Sequence, residues 1–397
     1  MPINQRNAGF ISATYQPLQV ANAPTIGAAT AGDASASVAF TAPANVGGSA
    51  ISAYYAVSNP DRVTVSGASS PITVTGLTNG TAYTFSVWAL NTYGPSPFSA
   101  ASGSATPNAR GLFGGGVSGA NTSVISYITI ATTGDAASFG NLTAARYGIG
   151  GCSSTTRGLF GGGQTTVRSN IIDYVSFQTA GNATDFGDLT VARREVAACS
   201  SSTRGVFGGG QDASNTTNII DYVTIASVGN ATDFGDLVVT MNNLGGCGSP
   251  TRGIFGGGDS NAINYITIAS VGNAIDFGDL LTNTGTGVTA CSSSTRGIFA
   301  GGFLSSAATN VIQYITIAST GNSTDFGDLT LARRYAAGCS TETRGVFGGG
   351  VATSIVTRYN IIDYITIAST GNATDFGDLT QTTYQAGACS SAHGGLS

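Results

Sequence analysis

TRGVFGGG, at residues 343–350, occurs almost unchanged at four other places in the chain. The other copies are TRGLFGGG at 156–163, TRGVFGGG at 203–210, TRGIFGGG at 251–258 and TRGIFAGG at 295–302. Three adjacent glycines that recur in this way are typical either of a loop that cradles phosphate or of a structural joint. A phosphate loop continues into Lys and Ser or Thr, but this sequence contains no lysine. The repeat therefore indicates a structural role, in which glycine lets the backbones of neighbouring repeats approach closely.

The Arg-Gly pairs recur with a period of 44 to 48 residues, which is in the range of propeller blades. They begin at Arg110, Arg157, Arg204, Arg252, Arg296 and Arg344. Each unit contains four candidate strands, for example VAACSSS (196–202), GVFGGG (205–210), NIIDYITIAS (360–369) and TDFGDL (374–379). Alternation, β-branched residues and glycine punctuation favour strands over helices. The sequence therefore predicts an all-β chain.

The first unit lacks a first strand of its own. The segment YQAGACSSA (384–392) follows the last fourth strand and has the composition of the missing one. We therefore expect the C-terminal segment to pair into the first unit and to close a ring of six, which leaves only short, protected strand edges.

The repeating unit resembles the kelch repeat. A diglycine closes the second strand at Gly209 and Gly210, Tyr222 lies in the third strand, and Phe234 and Leu237 lie in the fourth. Phe stands where kelch proteins usually have Trp. The resemblance covers about residues 110–391 and implies a six-bladed β-propeller over residues 108–397.

Residues 23–107 have a different character and resemble a fibronectin type III domain. The segments VAFTAP (38–43), GGSAISAYYAV (47–57) and GLTNGTAYTFSVWALNTYGPS (76–96) carry the resemblance. Leu77, Gly80 and Tyr83 are placed where that family has the corner between two strands, and Phe40 takes the usual Trp position. By alternation, Tyr83, Phe85, Val87 and Ala89 share the inward face.

Trp88, the single tryptophan, faces outward on the same alternation. It is either a contact residue or a cover for the domain junction. The first 22 residues could not form a core alone, and the alternation of ISATYQPLQV (11–20) favours an extended arm that orders against a larger assembly over a frayed terminus.

Charge is scarce, with 9% charged residues, a net charge of -5 and a pI near 4.7. A chain without a basic stripe is not expected to bind nucleic acid. The sequence has no stretch of 18 apolar residues and no signal-peptide pattern, so we expect neither a membrane span nor secretion by the chain itself.

Catalysis is difficult to build from these residues. The only histidine is His393, so neither a Ser-His-Asp triad nor a His-rich metal site can be assembled. Kelch propellers that accompany immunoglobulin-like domains resemble galactose oxidase, but that copper site needs two histidines. Six-bladed sialidases need arginines, an acid and a tyrosine in one central pocket, whereas here Arg and Tyr repeat unit by unit. We therefore expect no enzyme, no metal and no cofactor.

The arginine of each TRG and the aspartates of each DFGD recur together. We predict a structural ion pair between blades, because the guanidinium fork suits carboxylates. The residues are Arg157, Arg204, Arg252, Arg296 and Arg344 with Asp185, Asp233, Asp276, Asp325 and Asp375. The alternative left open is Ca²⁺ bound by the oxygens of GNATDFGD.

Each unit has one cysteine in its first strand, and their even number is typical of disulfides. They are Cys152, Cys199, Cys247, Cys291, Cys339 and Cys389. Equivalent positions distribute them around the ring, so we expect free, buried thiols in a protein made in the bacterial cytoplasm. The sequons at Asn182 and Asn372 are then expected to carry no sugar.

Variation between units is concentrated on one face. The connections between strands one and two and between three and four are nearly constant, whereas the segments after the glycines differ. These segments are VSGANTS (117–123), QTTVRS (164–169), QDASNTT (211–217), DSNA (259–262), FLSSAAT (303–309) and VATSIVTRY (351–359). A patterned face can recognise a ligand, although tolerated drift would look similar. The candidate binding residues are Arg168, Phe303, Arg358 and Tyr359.

Near-identical repeats, absent lysine and a low-charge surface behind a fibronectin-like spacer resemble virion proteins of tailed phages, especially those that infect cyanobacteria. The resemblance implies a fibre or adhesin on the virion surface, anchored to other virion proteins through the arm and binding host-surface polysaccharide through its variable face. By analogy with fibres we expect a homo-oligomer, for example a trimer. The alternatives are a capsid or tail decoration protein without receptor binding and, less favoured, a secreted glycosidase.

Overall fold

The structure, a computed structural model, describes residues 19–32, 34–78, 81–281 and 286–396. The chain is all-β, as predicted, and within these residues the one helical element is the short 3-10 turn Gly394–Leu396. No helix in the described ranges is long and apolar enough to cross a membrane. The chain divides into two compact units between Asn108 and Ala109.

Unit 1 contains two antiparallel sheets. Its strands are β1 (Thr25–Gly32), β2 (Ser35–Thr41), β3 (Ile51–Asn59), β4 (Thr64–Gly67), β5 (Ile72–Thr75), β6 (Thr84–Asn91) and β7 (Gly94–Pro95). The strand orders are β1-β2-β5 and β4-β3-β6-β7. The expected inward residues of β6, Phe85, Val87 and Ala89, are buried together with Phe40 and Tyr54. Alternation along the strands therefore predicted this core correctly.

The predicted N-terminal arm falls mostly outside the described residues, which begin at Gln19. The backbone carbonyl of Gln19 accepts a hydrogen bond from the backbone amide of Gly48 at 3.0 Å and another from the side-chain amide of Asn91 at 3.1 Å. Ala21 is buried in the core of unit 1. Residues 19–22 therefore belong to unit 1 and are not part of an extended arm, because their backbone and side chains complete its hydrogen bonds and packing.

Unit 2 contains six four-stranded antiparallel sheets, which we number in chain order. Sheet 1 begins with β8 (Arg110–Gly114), the small hairpin β9 (Val117–Ser118) and β10 (Ala120–Asn121), β11 (Val124–Thr129) and β12 (Ala137–Asn141). Sheet 2 has β13 (Gly150–Ser153), β14 (Arg157–Gly161), β15 (Ile171–Ser176) and β16 (Thr184–Asp188). Sheet 3 has β17 (Ala197–Ser200), β18 (Arg204–Gly208), β19 (Ile219–Thr224) and β20 (Thr232–Asp236).

The remaining sheets repeat this order. Sheet 4 has β21 (Leu244–Gly248), β22 (Arg252–Gly257), β23 (Ala262–Thr267) and β24 (Ile275–Asp279). Sheet 5 has β25 (Thr289–Ser292), β26 (Arg296–Ala300), the hairpin β27 (Phe303–Leu304) and β28 (Ala307–Ala308), β29 (Val311–Thr316) and β30 (Thr324–Asp328). Sheet 6 has β31 (Ala337–Ser340), β32 (Arg344–Gly348), β33 (Ile361–Thr366) and β34 (Thr374–Asp378), and β35 (Gly387–Ser390) follows.

The last strand pairs with the first unit, as the sequence predicts. Sheet 1 has the order β12-β11-β8-β35, with Cys389 opposite Leu112 in antiparallel register. The first strands of the sheets, β13, β17, β21, β25, β31 and β35, contact one another in that order, and β35 also contacts β13. Every sheet therefore has two neighbouring sheets.

The glycine motif is explained by contacts between neighbouring sheets. A Cβ at Gly205 would lie 2.8 Å from Sγ of Cys152 in the preceding sheet. A Cβ at Gly208 would lie 2.9 Å from the ring of Phe255 in the following sheet. Gly209 then adopts a left-handed φ of 66°, which favours glycine. The structural interpretation of the motif is confirmed, with side chains of the adjacent sheets filling the space that each missing Cβ leaves.

The arginine of each TRG connects its own sheet to the next one. The guanidinium of Arg204 lies 4.3 Å from the ring centroid of Tyr222, and its Nη1 donates to the carbonyl of Ile268 at 2.7 Å. The same two contacts, a tyrosine of the same sheet and a carbonyl of the next, recur at Arg110, Arg157, Arg252, Arg296 and Arg344. The expected role between sheets is therefore present, with a different partner.

The predicted ion pair between these arginines and the DFGD aspartates is wrong. The five aspartates are exposed, namely Asp185, Asp233, Asp276, Asp325 and Asp375. Carbonyl oxygens and ring faces already satisfy the arginines, so an exposed carboxylate would add only a screened interaction.

The buried ion pairs involve other residues. Arg193, in the segment that leads into sheet 3, lies 2.9 Å from a carboxylate oxygen of Asp221 on β19, and both side chains are fully buried. Thr190 donates its hydroxyl to the same carboxylate at 2.5 Å. Sheets 2 and 6 have the equivalent pairs Arg146–Asp173 and Arg333–Asp363. Burial lowers the pKa of Arg193 and the Asp221 carboxylate opposes that shift.

The asparagines of GNATDFGD and its relatives hold neighbouring sheets together. The side-chain oxygen of Asn230 accepts the amide of Asp188 at 3.1 Å, and Asn182, Asn273, Asn322 and Asn372 make the same contact. Within the described ranges, no group of three or more His, Cys, Asp or Glu side chains could hold a metal ion.

The six cysteines are free and buried, as predicted. Each lies in the first strand of its sheet against a glycine of the next sheet, as Cys152 does against Gly205. Burial raises the pKa of the Cys152 thiol to about 12. The cysteines therefore act as small apolar side chains.

Candidate functional site

Six equivalent residues form a ring where the chain passes into the first strand of each sheet. All six adopt a left-handed φ between 53° and 86°: Gly148, Glu195, Asn243, Gly287, Tyr335 and Gln385. Each amide donates to the carbonyl of the preceding member, and the amide of Gly148 donates to Gln385 at 2.9 Å, so the backbone ring closes on itself. We call these residues the left-handed ring. They line a cavity that is bordered by all six sheets.

Four members of the left-handed ring carry side chains at a backbone position that favours glycine. A non-glycine residue in this conformation costs on the order of 1 kcal/mol, and such residues cluster at functional sites. Gly148 and Gly287 demonstrate that the ring accepts glycine. Glu195, Asn243, Tyr335 and Gln385 therefore occupy their positions at a cost to backbone stability, which is an indication of a function for their side chains.

The polar side chains of the ring are joined to one another around Glu195. Asn243 donates to Glu195 Oε2 at 3.0 Å, Gln385 donates to Oε1 at 3.3 Å, and Nε of Arg194 lies 3.2 Å from Oε1. Burial raises the pKa of Glu195, against the opposing effects of Arg194, of Arg168 and of the two amide side chains. The cavity thus presents a carboxylate that is engaged by Arg194, two amides and the Tyr335 ring.

Two groups of arginines lie next to residues that line the cavity, Arg194 against Glu195 and Arg334 against Tyr335. In the first group, Arg168 and Arg194 both donate to the side-chain oxygens of Gln164 and Gln211. Arg194 also donates to the hydroxyl of Tyr147 at 2.8 Å. We call this group the amide-bridged pair, and its guanidinium donors are largely used within the protein.

In the second group, the arginines rest on aromatic rings. The guanidinium of Arg334 lies 4.2 Å from the ring centroid of Phe303 and 5.1 Å from that of Tyr335. That of Arg358 lies 5.8 Å from the ring of Tyr384, and the two tyrosine rings are 6.2 Å apart. All five residues are half-buried. We call this group the aromatic-supported pair.

The opposite end of the first strands is closed by the C-terminal segment. Serine hydroxyls link the strands there, for example Ser200 to the carbonyl of Ser153 at 2.8 Å. Gly248 takes the equivalent serine position in sheet 4 and has no hydroxyl to donate to Ser200. Nε2 of His393 lies 3.1 Å from Oγ of Ser200. A Cβ at Gly395 would lie 1.9 Å from the carbonyl oxygen of Ser200. The C-terminal turn therefore fits where the serine contacts are interrupted.

The four predicted binding residues are placed differently. Arg168 belongs to the amide-bridged pair, and Phe303 and Arg358 belong to the aromatic-supported pair. Tyr359 is half-buried, and its backbone amide donates to the carbonyl of Gly350 at 2.9 Å. The structure brings Phe303 and Arg358 to one group and leaves Arg168 in the other.

The left-handed ring, Arg194 and Arg334 were missed from the sequence. The available signal was the dissimilarity at one position of otherwise similar repeats, where Gly, Glu, Asn, Gly, Tyr and Gln follow one another. The segments after the glycines do not contain this position. It lies in the connection between the fourth strand of one sheet and the first strand of the next.

In unit 1, Tyr83 forms a buried corner. Its hydroxyl donates to Asp61 at 2.5 Å and accepts the amide of Thr78 at 3.1 Å. The family model of the fibronectin type III domain matches residues 22–104. Residues 22–104 are a fibronectin type III domain. A comparison of the whole chain with curated proteins gives no match.

The predicted corner of the fibronectin type III domain at Leu77 and Tyr83 is confirmed, because both residues are buried. Gly80, the third residue predicted there, lies outside the described residues. Trp88 faces away from the core, as predicted, and stacks on Tyr55 of β3 with centroids 4.1 Å apart and planes 6° apart. This half-buried aromatic pair is the domain's candidate contact surface.

Proposed function

We propose that residues 109–396 form a six-bladed, kelch-like β-propeller. Three observations support it: six four-stranded sheets, the pairing of β35 with β8, and first strands that contact one another in cyclic order. The cyclic hydrogen bonds of the left-handed ring support it further, because the last link joins Gly148 of the first unit to Gln385 of the last. A diglycine, a third-strand tyrosine and a fourth-strand Phe and Leu in each sheet are the kelch-like features.

We infer that the protein is a phage virion protein of the fibre or adhesin type that binds a host-surface glycan. The observation that carries the binding role is the retention of Glu195, Asn243, Tyr335 and Gln385 in left-handed conformations where glycine is accepted. These groups supply hydrogen-bond donors, acceptors and a ring face in a concave site, which are the elements of small-ligand recognition. Several copies on one particle would strengthen weak individual contacts.

The proposed role is binding without catalysis. Glycoside hydrolysis uses two carboxylates on either side of the scissile bond. Around the cavity, the described lining residues include one carboxylate, Glu195, and it is engaged by Arg194 and two amides. In this proposal the fibronectin type III domain is a spacer, and the N-terminal segment attaches the protein to other virion proteins.

The test is binding of the full chain to candidate host cells and to their extracted surface polysaccharide. The variant Tyr335→Gly and Gln385→Gly removes two cavity side chains and also relieves two left-handed residues, so its fold is retained. We expect saturable binding by the wild type and a loss of about tenfold or more in the variant, the equivalent of about 1.4 kcal/mol.

The matched control is Ala34→Gly, which relieves another left-handed residue but lies in unit 1. We expect this variant to bind like the wild type. Absence of binding by the folded wild type, presented in many copies, would contradict the adhesin and favour a decoration protein without receptor binding.

A further inference from the structure

We propose that the aromatic-supported pair, Arg334 and Arg358, binds the anionic group of an acidic polysaccharide, a uronate carboxylate or a sulfate ester. This inference rests on the proposed glycan-binding function and specifies its ligand class. It follows from a difference between the two arginine groups, each of which contacts a residue that lines the cavity.

The amide-bridged pair is occupied within the protein. Arg194 donates to Tyr147, Gln164 and Gln211 and forms an ion pair with Glu195. A guanidinium has five N–H donors in a planar fork. Four partners for Arg194 leave it little capacity for a ligand, so this group acts to hold Glu195 and its neighbouring segments in place.

The aromatic-supported pair is not occupied in this way. In the described part of the chain, neither Arg334 nor Arg358 has a carboxylate oxygen within 4 Å. Arg334 has one long hydrogen bond, 3.4 Å to the carbonyl of Thr353. The Nε groups of both arginines are shielded from solvent and have no hydrogen-bond partner among those residues, a property that they share with Arg168 and Arg194. The difference between the two groups therefore lies in the terminal guanidinium nitrogens, which in the amide-bridged pair donate to Gln164 and Gln211. Two positive charges are thus close to the cavity without compensating negative charge.

The aromatic rings hold these charges without using their donors. Phe303 and Tyr335 contact Arg334, and Tyr384 contacts Arg358, at ring centroid distances of 4.2 to 5.8 Å. An arginine supported on a ring face keeps the N–H groups at its edge available for a carboxylate or sulfate. Such support also reduces the side-chain freedom that binding would otherwise remove.

The charge of the whole chain makes this local arrangement informative. The net charge is -5, so a polyanion is not attracted to the protein in general. A positive group next to a cavity with amides and a tyrosine ring is suited to a saccharide that has one anion per binding subsite. We assign the anion to the aromatic-supported pair and the sugar ring to the adjoining surface of Tyr335 and Tyr384.

The experiment compares the full chain on matched polysaccharides that differ in their anionic group. The probes are polygalacturonate and its methyl ester, and dextran sulfate and dextran. We expect saturable binding to one acidic member and binding at least tenfold weaker to its neutral counterpart. The first pair reports a carboxylate and the second a sulfate ester.

The variant Arg334→Gln with Arg358→Gln should lose about tenfold or more of the affinity for the acidic probe, since hydrogen bonds to charged groups contribute about 1.5–3 kcal/mol. Its melting temperature should be close to that of the wild type, because these arginines make few internal bonds. The matched control Arg62→Gln removes an exposed arginine of unit 1 and should bind the acidic probe like the wild type.

Equal binding to acidic and neutral probes, no binding to any probe, or equal loss in the Arg62→Gln control would overturn this inference. Host polysaccharide that still binds in any of these cases, and is released by Tyr335→Gly with Gln385→Gly, would leave the proposed function standing. Failure of host cells and every probe to bind would remove both.

Discussion

The segments that lead into sheets 3 and 4 have the same backbone but different chemistry. Arg193 and Met241 are fully buried and accept the same type of backbone hydrogen bond, from Gly163 at 2.9 Å and from Gly210 at 2.7 Å. Arg193 faces Asp221, whereas Met241 faces Asn264, which donates to its sulfur at 3.4 Å. The ion pair of one joint is replaced by a neutral pair in the other.

A third joint supports the same conclusion. In sheet 1 the positions of the aspartate and of its threonine partner are taken by Ser126 and Thr380, whose hydroxyls lie 2.5 Å apart. At none of the three joints does a charge face a neutral residue. What the fold requires is a compensated pair, because a buried charge without a partner is far more costly than a neutral pair of similar volume.

Removal of one partner from the joint of sheet 3 should have the largest effect. Arg193→Met leaves the Asp221 carboxylate buried without its guanidinium. We expect the free energy of unfolding to fall by about 3–5 kcal/mol, the usual cost of breaking a buried ion pair. Urea denaturation, monitored by circular dichroism of the backbone, measures this loss.

Replacement of both partners provides the control. Arg193→Met with Asp221→Asn transfers the chemistry of the sheet 4 joint into sheet 3, and we expect it to regain most of the lost stability. A double variant as unstable as Arg193→Met alone would contradict the equivalence of the two joints.

The glycine motif extends the comparison to two positions of one strand. Gly205→Ala places a Cβ 2.8 Å from Sγ of Cys152, whereas position 208 already has alanine in its equivalent in sheet 5, Ala300. We expect Gly205→Ala to cost about 1–3 kcal/mol by overpacking and Gly208→Ala to cost less. Thermal unfolding of both variants ranks them.

Removal of the contacting sulfur tests the cause. Cys152→Ala should be less harmful in the Gly205→Ala background than in the wild type, because it opens the space that the new methyl group needs. Additive effects of the two substitutions would exclude steric contact as the reason.

The C-terminal turn, at the interrupted serine contacts between sheets 3 and 4, should make stability depend on pH. Burial lowers the pKa of His393 from 6.5 to about 4. Between these values the unfolded chain binds a proton that the folded chain does not, so the free energy of unfolding should fall as the pH decreases from 6.5 to 4. Melting temperatures across this range measure the effect.

His393→Gln separates this titration from that of the carboxylates. The variant should have a shallower decrease of melting temperature between pH 6.5 and 4 than the wild type. Identical slopes would mean that His393 does not contribute to the stability of the C-terminal turn.

The sequence identified elements and missed partners for a physical reason. The period, the four strands of each unit, the pairing of residues 384–392 with the first unit and the buried face of β6 follow from local pattern. The arginine partners do not, because Arg204 and Asp233 recur with the same period as any other two residues of the repeat. Comparison of the repeats with one another indicates the correct partners, because Arg193 and Asp221 of one repeat are both replaced in the next, by Met241 and Asn264.

The strands, the fibronectin type III domain and the free cysteines could be predicted from the amino-acid sequence, because they depend on alternation, spacing and composition along the chain. Which arginines donate to partners within the protein, and which keep donors available for a ligand, depends on the folded structure. Arg194 and Arg334 occupy equivalent positions in two repeats, yet one is bonded to Glu195 and two glutamines and the other rests on Phe303. That difference arises from side chains of other sheets, which converge only when the chain is folded.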